Sequence, residues 1–264
     1  MKKFAVSILV FWLVAIVVGR LCQLDPNHID LSAILHSPDV QHWLGSDDLG
    51  RDILARILSG VEVSFFVALV VTAVTMSVGV IVGLLAGFYG GRVDAVLMQV
   101  TDVFLAFPGI LLAIAFAAVL GPGLGNLVMA LCLTGWVSYA RLARGQAMSL
   151  RNRQHVLAAE SLGASVPRLL FRHILPLLAS VLVVEATYSL ASVMIAEASL
   201  SFLGLGIQAP EASWGAMLRD AVRFMLVAPH YVLIVGACLM SLILAINLGG
   251  DALRDTLDVR RYHL

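Results

Sequence analysis

The chain has 264 residues, of which 60% are apolar and only 13% charged. A water-soluble domain carries about twice that charged share and has the polar surface to cover its core. Seventeen basic and seventeen acidic residues cancel to zero net charge, so a soluble enzyme, a disordered chain and a strongly basic nucleic-acid binder are excluded in favour of an all-α polytopic membrane protein.

In chain order, Lys2 and Lys3 precede an apolar run, Phe4–Leu21. No small-x-small cleavage site follows, so residues 1–21 read as a first transmembrane helix rather than a signal peptide. Residues 22–62 form an acidic external loop. Within it, Leu49, Ile53, Leu54, Ile57 and Leu58 recur at helical spacing, which predicts an amphipathic helix over Asp47–Gly60 lying on the outer membrane surface. Residues 63–250 hold five further spans: Val63–Phe88, Ala95–Leu120, Asn126–Ala140, Leu177–Ala198 and Pro229–Leu248. Gly121 to Gly125 separate the second and third of these. Residues 251–264 are a tail. With six spans and the N-terminus inside, twelve lysines and arginines fall on the inner side and four on the outer (Arg51, Arg56, Arg219, Arg223), with Arg20 at a boundary. That bias places both termini in the cytoplasm.

Gly79, Gly83 and Gly87 make a small-xxx-small ladder that lets another helix approach closely. Pro108 should kink the third span or break its hydrogen-bond ladder. The longest inner loop, residues 141–176, holds half of the inside basic residues. It reads as two short helices, His155–Ala164 and Val166–Ile174, turned at Gly163, with Pro176 opening the fifth span. Such a unit is either a docking element or a membrane-surface loop whose arginines meet anionic lipid.

Charges within spans are candidates for function. Asp102 and Glu197 read best as interfacial groups, while Glu185 stands between a pore contact and a partner for a neighbouring helix. Cys22, Cys132 and Cys238 are scattered small hydrophobes with no CxxC pair. His28, His36 and His42 lie among the aspartates of the external loop at spacings of no compact ligand motif, so no metal site is assigned. No GxxxxGK[ST] phosphate loop and no ordered Ser-His-Asp or Cys-His set is present, so no catalytic residue and no cofactor is assigned to this chain.

The string Leu157-Ala158-Ala159, Gly163 and Leu175-Pro176 resembles the EAA loop of ATP-binding-cassette importer permeases. Leu157 stands where the family has Glu, and His173 where it has Ile; Glu160 is a nearby acid at another offset. Further strings resemble the peptide/nickel subfamily. They are His42 to Asp52, Ala86 to Asp94, Ala106 to Gly109, Leu200 to Gly206, Ser213 to Gly215 and Asn247 to Asp255. The resemblance covers about residues 25–260 and is to the second permease subunit of dipeptide, oligopeptide and nickel systems.

The resemblance implies a type I importer permease fold and half of a translocation pore for peptides or a nickel or other metal chelate. It implies a homologous permease as heterodimer partner, two cytoplasmic ATPase subunits that hold ATP and Mg, an external solute-binding protein, and a bacterial inner membrane. Ala158, Ala159, Glu160, Gly163 and Pro176 would couple to an ATPase; Glu185, Pro108 and Asp102 are pore or packing candidates. The competing reading is a self-sufficient secondary transporter, in which six spans would be half of an inverted repeat.

Overall fold

The computed structural model describes residues 2–259, and all regular structure among them is helical apart from one isolated antiparallel bridge between Ser46 and Asp52. Arg260 and Arg261, counted above on the inner side, lie outside the described residues. The helices are α1 (Lys2–Leu21), α2 (Ile53–Tyr89), α3 (Gly91–Leu105), α4 (Gly109–Leu120), α5 (Leu124–Leu150), α6 (Gln154–Ser161), α7 (Val166–Arg168), α8 (Leu175–Phe202), α9 (Trp214–Arg223) and α10 (Pro229–Val259).

Four stretches are long and apolar enough to cross a membrane: α1, α2, α7–α8 and α10; the bent pair α3–α4 makes a fifth if it is one span. At 27 residues, α5 is roughly 40 Å long, enough to cross. Asn126, Thr134, Gly135 and Ser138 dilute its apolar character, which is compatible with its making the most extensive helix contact in the molecule, against α2.

Several expected boundaries change. The segment expected on the outer surface, Asp47–Gly60, is not a separate surface helix. From Ile53 on it is the first turns of α2, and Ile53, Ala55, Arg56, Ile57 and Gly60 are buried. The Asp52 carboxylate caps that start by accepting from the Ala55 N–H at 2.8 Å. The span expected over 95–120 is two helices meeting at 81°. Pro108 supplies no N–H and is the residue before α4, where its carbonyl accepts from Leu111 and Leu112. Helix α5 runs ten residues past Ala140, so the inner loop begins at about 151. Its expected second short helix, Val166–Ile174, leads through a π-helical turn (Leu169–Ile174) straight into α8. Pro176 cannot donate to the Arg172 carbonyl, and the Leu175 N–H reaches back five residues to Leu170 instead.

The glycine ladder of α2 faces α5. A Cβ at Gly79 would meet the Trp136 carbonyl and lie 2.5 Å from Tyr139 Cβ; one at Gly83 would meet the Ala140 carbonyl; one at Gly87 would lie 2.6 Å from the Arg144 carbonyl. The two backbones therefore touch along three turns, where dispersion and not water exclusion holds helices together.

Apolar residues gather in three clusters. The first joins α1, α9, α10 and the start of α2 around Trp12 and Trp214, whose rings lie 5.0 Å apart. Trp214 Nε1 donates to the Ile57 carbonyl at 3.0 Å. A second packs Val67 and Val71 against α4, α5 and Leu200. The third, at the end of α2 and α5 near α6, includes Leu84, Tyr139, Ala143, Val156, Ile174 and Leu178.

Candidate functional site

The end of the bundle expected on the cytoplasmic side carries the docking candidate. Helix α6 is anchored by Val156, which is fully buried in the third cluster. The rest of its length faces outward: Leu157, Ala158 and Glu160 are exposed and Ala159 is half-buried. Its end is a Schellman turn. Gly163 has φ +82, its N–H donates to the Glu160 carbonyl at 2.9 Å, and the Ala164 N–H donates to the Ala159 carbonyl at 3.0 Å. Nothing in the chain lies within 4 Å of a Cβ placed on Gly163. Glycine is required there by the backbone angle and not by crowding from within. At this tip Leu162 is 88% exposed. The sequence reading missed Leu162; the available signal was a leucine directly before a helix-ending glycine.

Ala158, Ala159, Glu160 and Gly163 thus belong to one small unit. Pro176 does not join them. It lies in the first turn of α8 and lines an apolar groove with Met76, Val80, Phe171 and Leu175. Leu157, in place of the family's Glu, is solvent-exposed, and His173 sits half-buried in the π turn.

Three of the inner arginines are committed within the chain. Arg144 grips the Asp94 carboxylate with Nε and Nη2, Arg141 pairs with Asp102 at 2.6 Å, and Arg151 Nη1 donates to the Gly87 and Phe88 carbonyls at 3.1 Å each, closing the end of α2. Asp102 therefore tethers α3 to α5 at an exposed position and does not face the cavity described next.

That cavity, of about 490 Å³, lies between α4, α5 and α8. Gly109 and Ile110 form one wall, and the break at Pro108 is what brings the start of α4 there. Seven hydroxyls line it, from Thr134, Ser138 and Tyr139 on α5 and Tyr188, Ser189, Ser192 and Ser199 on α8; Glu185 is its one charged lining residue. Glu185 and Tyr188 also line a second cavity of about 280 Å³ with Ser180 and Arg254. Pro108 and Glu185 thus contribute to one place, Pro108 through the backbone.

Glu197 is not interfacial as expected but fully buried. Its carboxylate accepts from Ser64 and Ser201, 2.8 Å each, and ties α2 to α8.

The loop between α1 and α2, expected outside, is a folded cap. Asp47, fully buried, accepts from the Leu49 and Arg51 amides at 2.9 Å and from Arg51 Nε at 2.7 Å, with Arg56 Nε at 3.4 Å. Arg56 also donates to the Pro26 carbonyl at 3.1 Å. Burial, with the neighbouring carboxylates of Asp47 and Asp220, holds the Asp48 carboxyl above its ordinary range against the pull of Arg51. The histidines there are used separately. His42 Nδ1 lies 3.0 Å from Asp52 and His36 Nδ1 3.2 Å from Asp39. The His42 backbone N–H, followed by that of Gln41, holds the Asp39 carboxyl below its usual range. Among the described residues no three of His, Cys, Asp and Glu converge as metal ligands.

A family model of the inner-membrane component of binding-protein-dependent transport systems matches residues 79–260. The chain is 43% identical over 232 residues to the glutathione transport system permease protein GsiD of Escherichia coli, covering 88% of this chain and 77% of that one. GsiD of Shigella boydii and of Shigella sonnei match to the same extent. Among solved structures the chain is similar to the inward-facing MetNI methionine ABC transporter in its native crystal form. That likeness has a TM-score of 0.62 at 17% identity, over 76% of this chain and 95% of that chain; at such identity it is a likeness of fold.

Proposed function

Because the chain belongs to the family of inner-membrane components of binding-protein-dependent transport systems, and is a multi-pass permease subunit of an ATP-binding-cassette importer, we propose that it forms half of the translocation pore for a small peptide. The similarity to a glutathione system permease supports that cargo class. The other half-pore is a homologous permease, completing a heterodimer against apolar surface such as Val103, Phe107 and Val119. Two ATPase subunits carrying ATP and Mg sit at the inner side, and an external solute-binding protein delivers the cargo. Six spans, counting α5 and the bent pair, leave both termini in the cytoplasm, in keeping with the basic bias of the inner segments.

The observation that carries this reading is α6: one buried anchor, an outward face of Leu157 and Ala158, and Leu162 at its tip. An ATPase cleft that receives this unit transmits nucleotide-driven closure through Val156 and Ile174 to α8, biasing a two-state pore. The self-sufficient secondary transporter has no supporting observation.

Gly163→Glu tests the coupling role. A Cβ there meets nothing within 4 Å, but the left-handed angle costs any other residue roughly 1–2 kcal/mol. Gly163→Ala, which has that cost without the bulk or charge, is therefore the control: both variants insert, Gly163→Ala keeps uptake, and Gly163→Glu loses ATPase association and ATP-dependent uptake. Normal uptake by the Gly163→Glu importer removes α6 from coupling.

A further inference from the structure

We propose that the cargo passes through this half-pore by its protonated amino group, with Glu185 as the counter-charge; the inference rests on the half-pore reading above. Glu185, Ser189, Ser192 and Ser199 follow one another on a single face of α8. They form a polar stripe roughly 21 Å long at 1.5 Å per residue within a stretch apolar enough to cross a membrane.

A carboxylate placed in such a stretch faces a wet cavity or a partner. Glu185 makes no hydrogen bond or ion pair with any described residue, and it is half-buried. With Tyr188 it lines both cavities, the smaller of which also holds Arg254, so cargo that occupies either cavity lies beside its carboxylate.

The larger cavity holds hydroxyls and one carboxylate, with no lysine, arginine or histidine in its lining. An ammonium brings three donors and a positive charge, which oxygen acceptors of this kind satisfy. A transition-metal ion favours imidazole or thiolate, neither of which lines the cavity. The buried Tyr139 hydroxyl, beside Ser189 in the same lining, offers a further acceptor.

The test uses the complete importer in proteoliposomes, with its solute-binding protein saturated by trialanine or by N-acetyl-trialanine. Uptake is read per ATP hydrolysed, for wild type, Glu185→Gln and Glu185→Asp. Loss of a charge-assisted contact predicts an about tenfold fall in trialanine uptake for Glu185→Gln, little change for the acetylated peptide, and recovery to within about threefold in Glu185→Asp. Equal trialanine uptake by wild type and Glu185→Gln overturns the inference and leaves the half-pore reading standing. So does an equal fall for both peptides, which is the mark of a structural role. Absence of ATP-dependent uptake of either peptide by wild type overturns the peptide half-pore and this inference with it.

Discussion

Replacing Gly83 by alanine adds one methyl group at the closest point of the α2–α5 seam. The new Cβ would collide with the Ala140 carbonyl oxygen and lie 2.7 Å from Ala143 Cβ and 2.8 Å from the Arg144 nitrogen. Ordinary van der Waals contact is about 3.5–4.0 Å, so two helix backbones must separate by several tenths of an ångström. Overpacking of this kind costs about 1–3 kcal/mol. In a chain of this length about 2 kcal/mol lowers a thermal midpoint by roughly 4–8 °C. The assay is the thermal midpoint of the detergent-solubilised importer, followed by loss of the folded permease. Gly236→Ala in α10 is the control. A Cβ there meets nothing within 4 Å, and the helix-favouring change leaves the midpoint unchanged or slightly raised. Equal midpoints for Gly83→Ala and Gly236→Ala would refute backbone contact along the ladder.

Asp47→Asn leaves Arg51 and Arg56 buried without their shared carboxylate, a change worth about 3–5 kcal/mol; a thermal midpoint within 1 °C of wild type would show that the cap does not depend on that charge. Asp48→Asn works in the opposite sense. A carboxyl whose folded value is raised takes up protons on folding, so its penalty is absent below the ordinary carboxylate range and full above the raised value. Asp48→Asn is therefore more stable than wild type at neutral pH, with the gap closing as the pH falls toward about 4; a gap that widens on acidification would contradict the assignment.

Much of the architecture was legible because membrane spans announce themselves by length and apolarity. The turn at Gly163 was legible for another reason: a glycine closing a short helix implies a left-handed angle, and the angle is there. The external cap was opaque. Asp47–Gly60 read as a separate surface helix, whereas Asp47 pairs with both Arg51 and Arg56 in the interior and α2 begins ten residues early. Pairing across a turn leaves no periodic signal. Glu197 was misread similarly, because Ser64, its partner, is 133 residues away in sequence. The amphipathic helix α9 was not assigned at all; Ser213 caps it by accepting from the Ala216 N–H, and Trp214 locks it onto α2. In the inner loop, the expected second helix dissolved into α8 because Pro176 converts the junction into a π turn rather than a break. Of the cavity, Glu185 was visible as a charge in an apolar run, but its hydroxyl neighbours on α5 come from a separate helix that only tertiary packing brings opposite α8.

The central claim is that α6 is the part of this permease that enters the ATPase. A cysteine-free chain, with Cys22, Cys132 and Cys238 replaced, carries a single new thiol as Leu162→Cys or, in the external loop, as Val40→Cys; these side chains are 88% and 91% exposed. Native membranes are treated with maleimide-benzophenone, which adds the single permease thiol through its maleimide and on irradiation inserts into C–H bonds of whatever protein lies against it, and permease–ATPase adducts are then detected. The account predicts an adduct from position 162 that changes with bound nucleotide and none from position 40. An adduct from position 40, or none from 162 in membranes that transport, would contradict it.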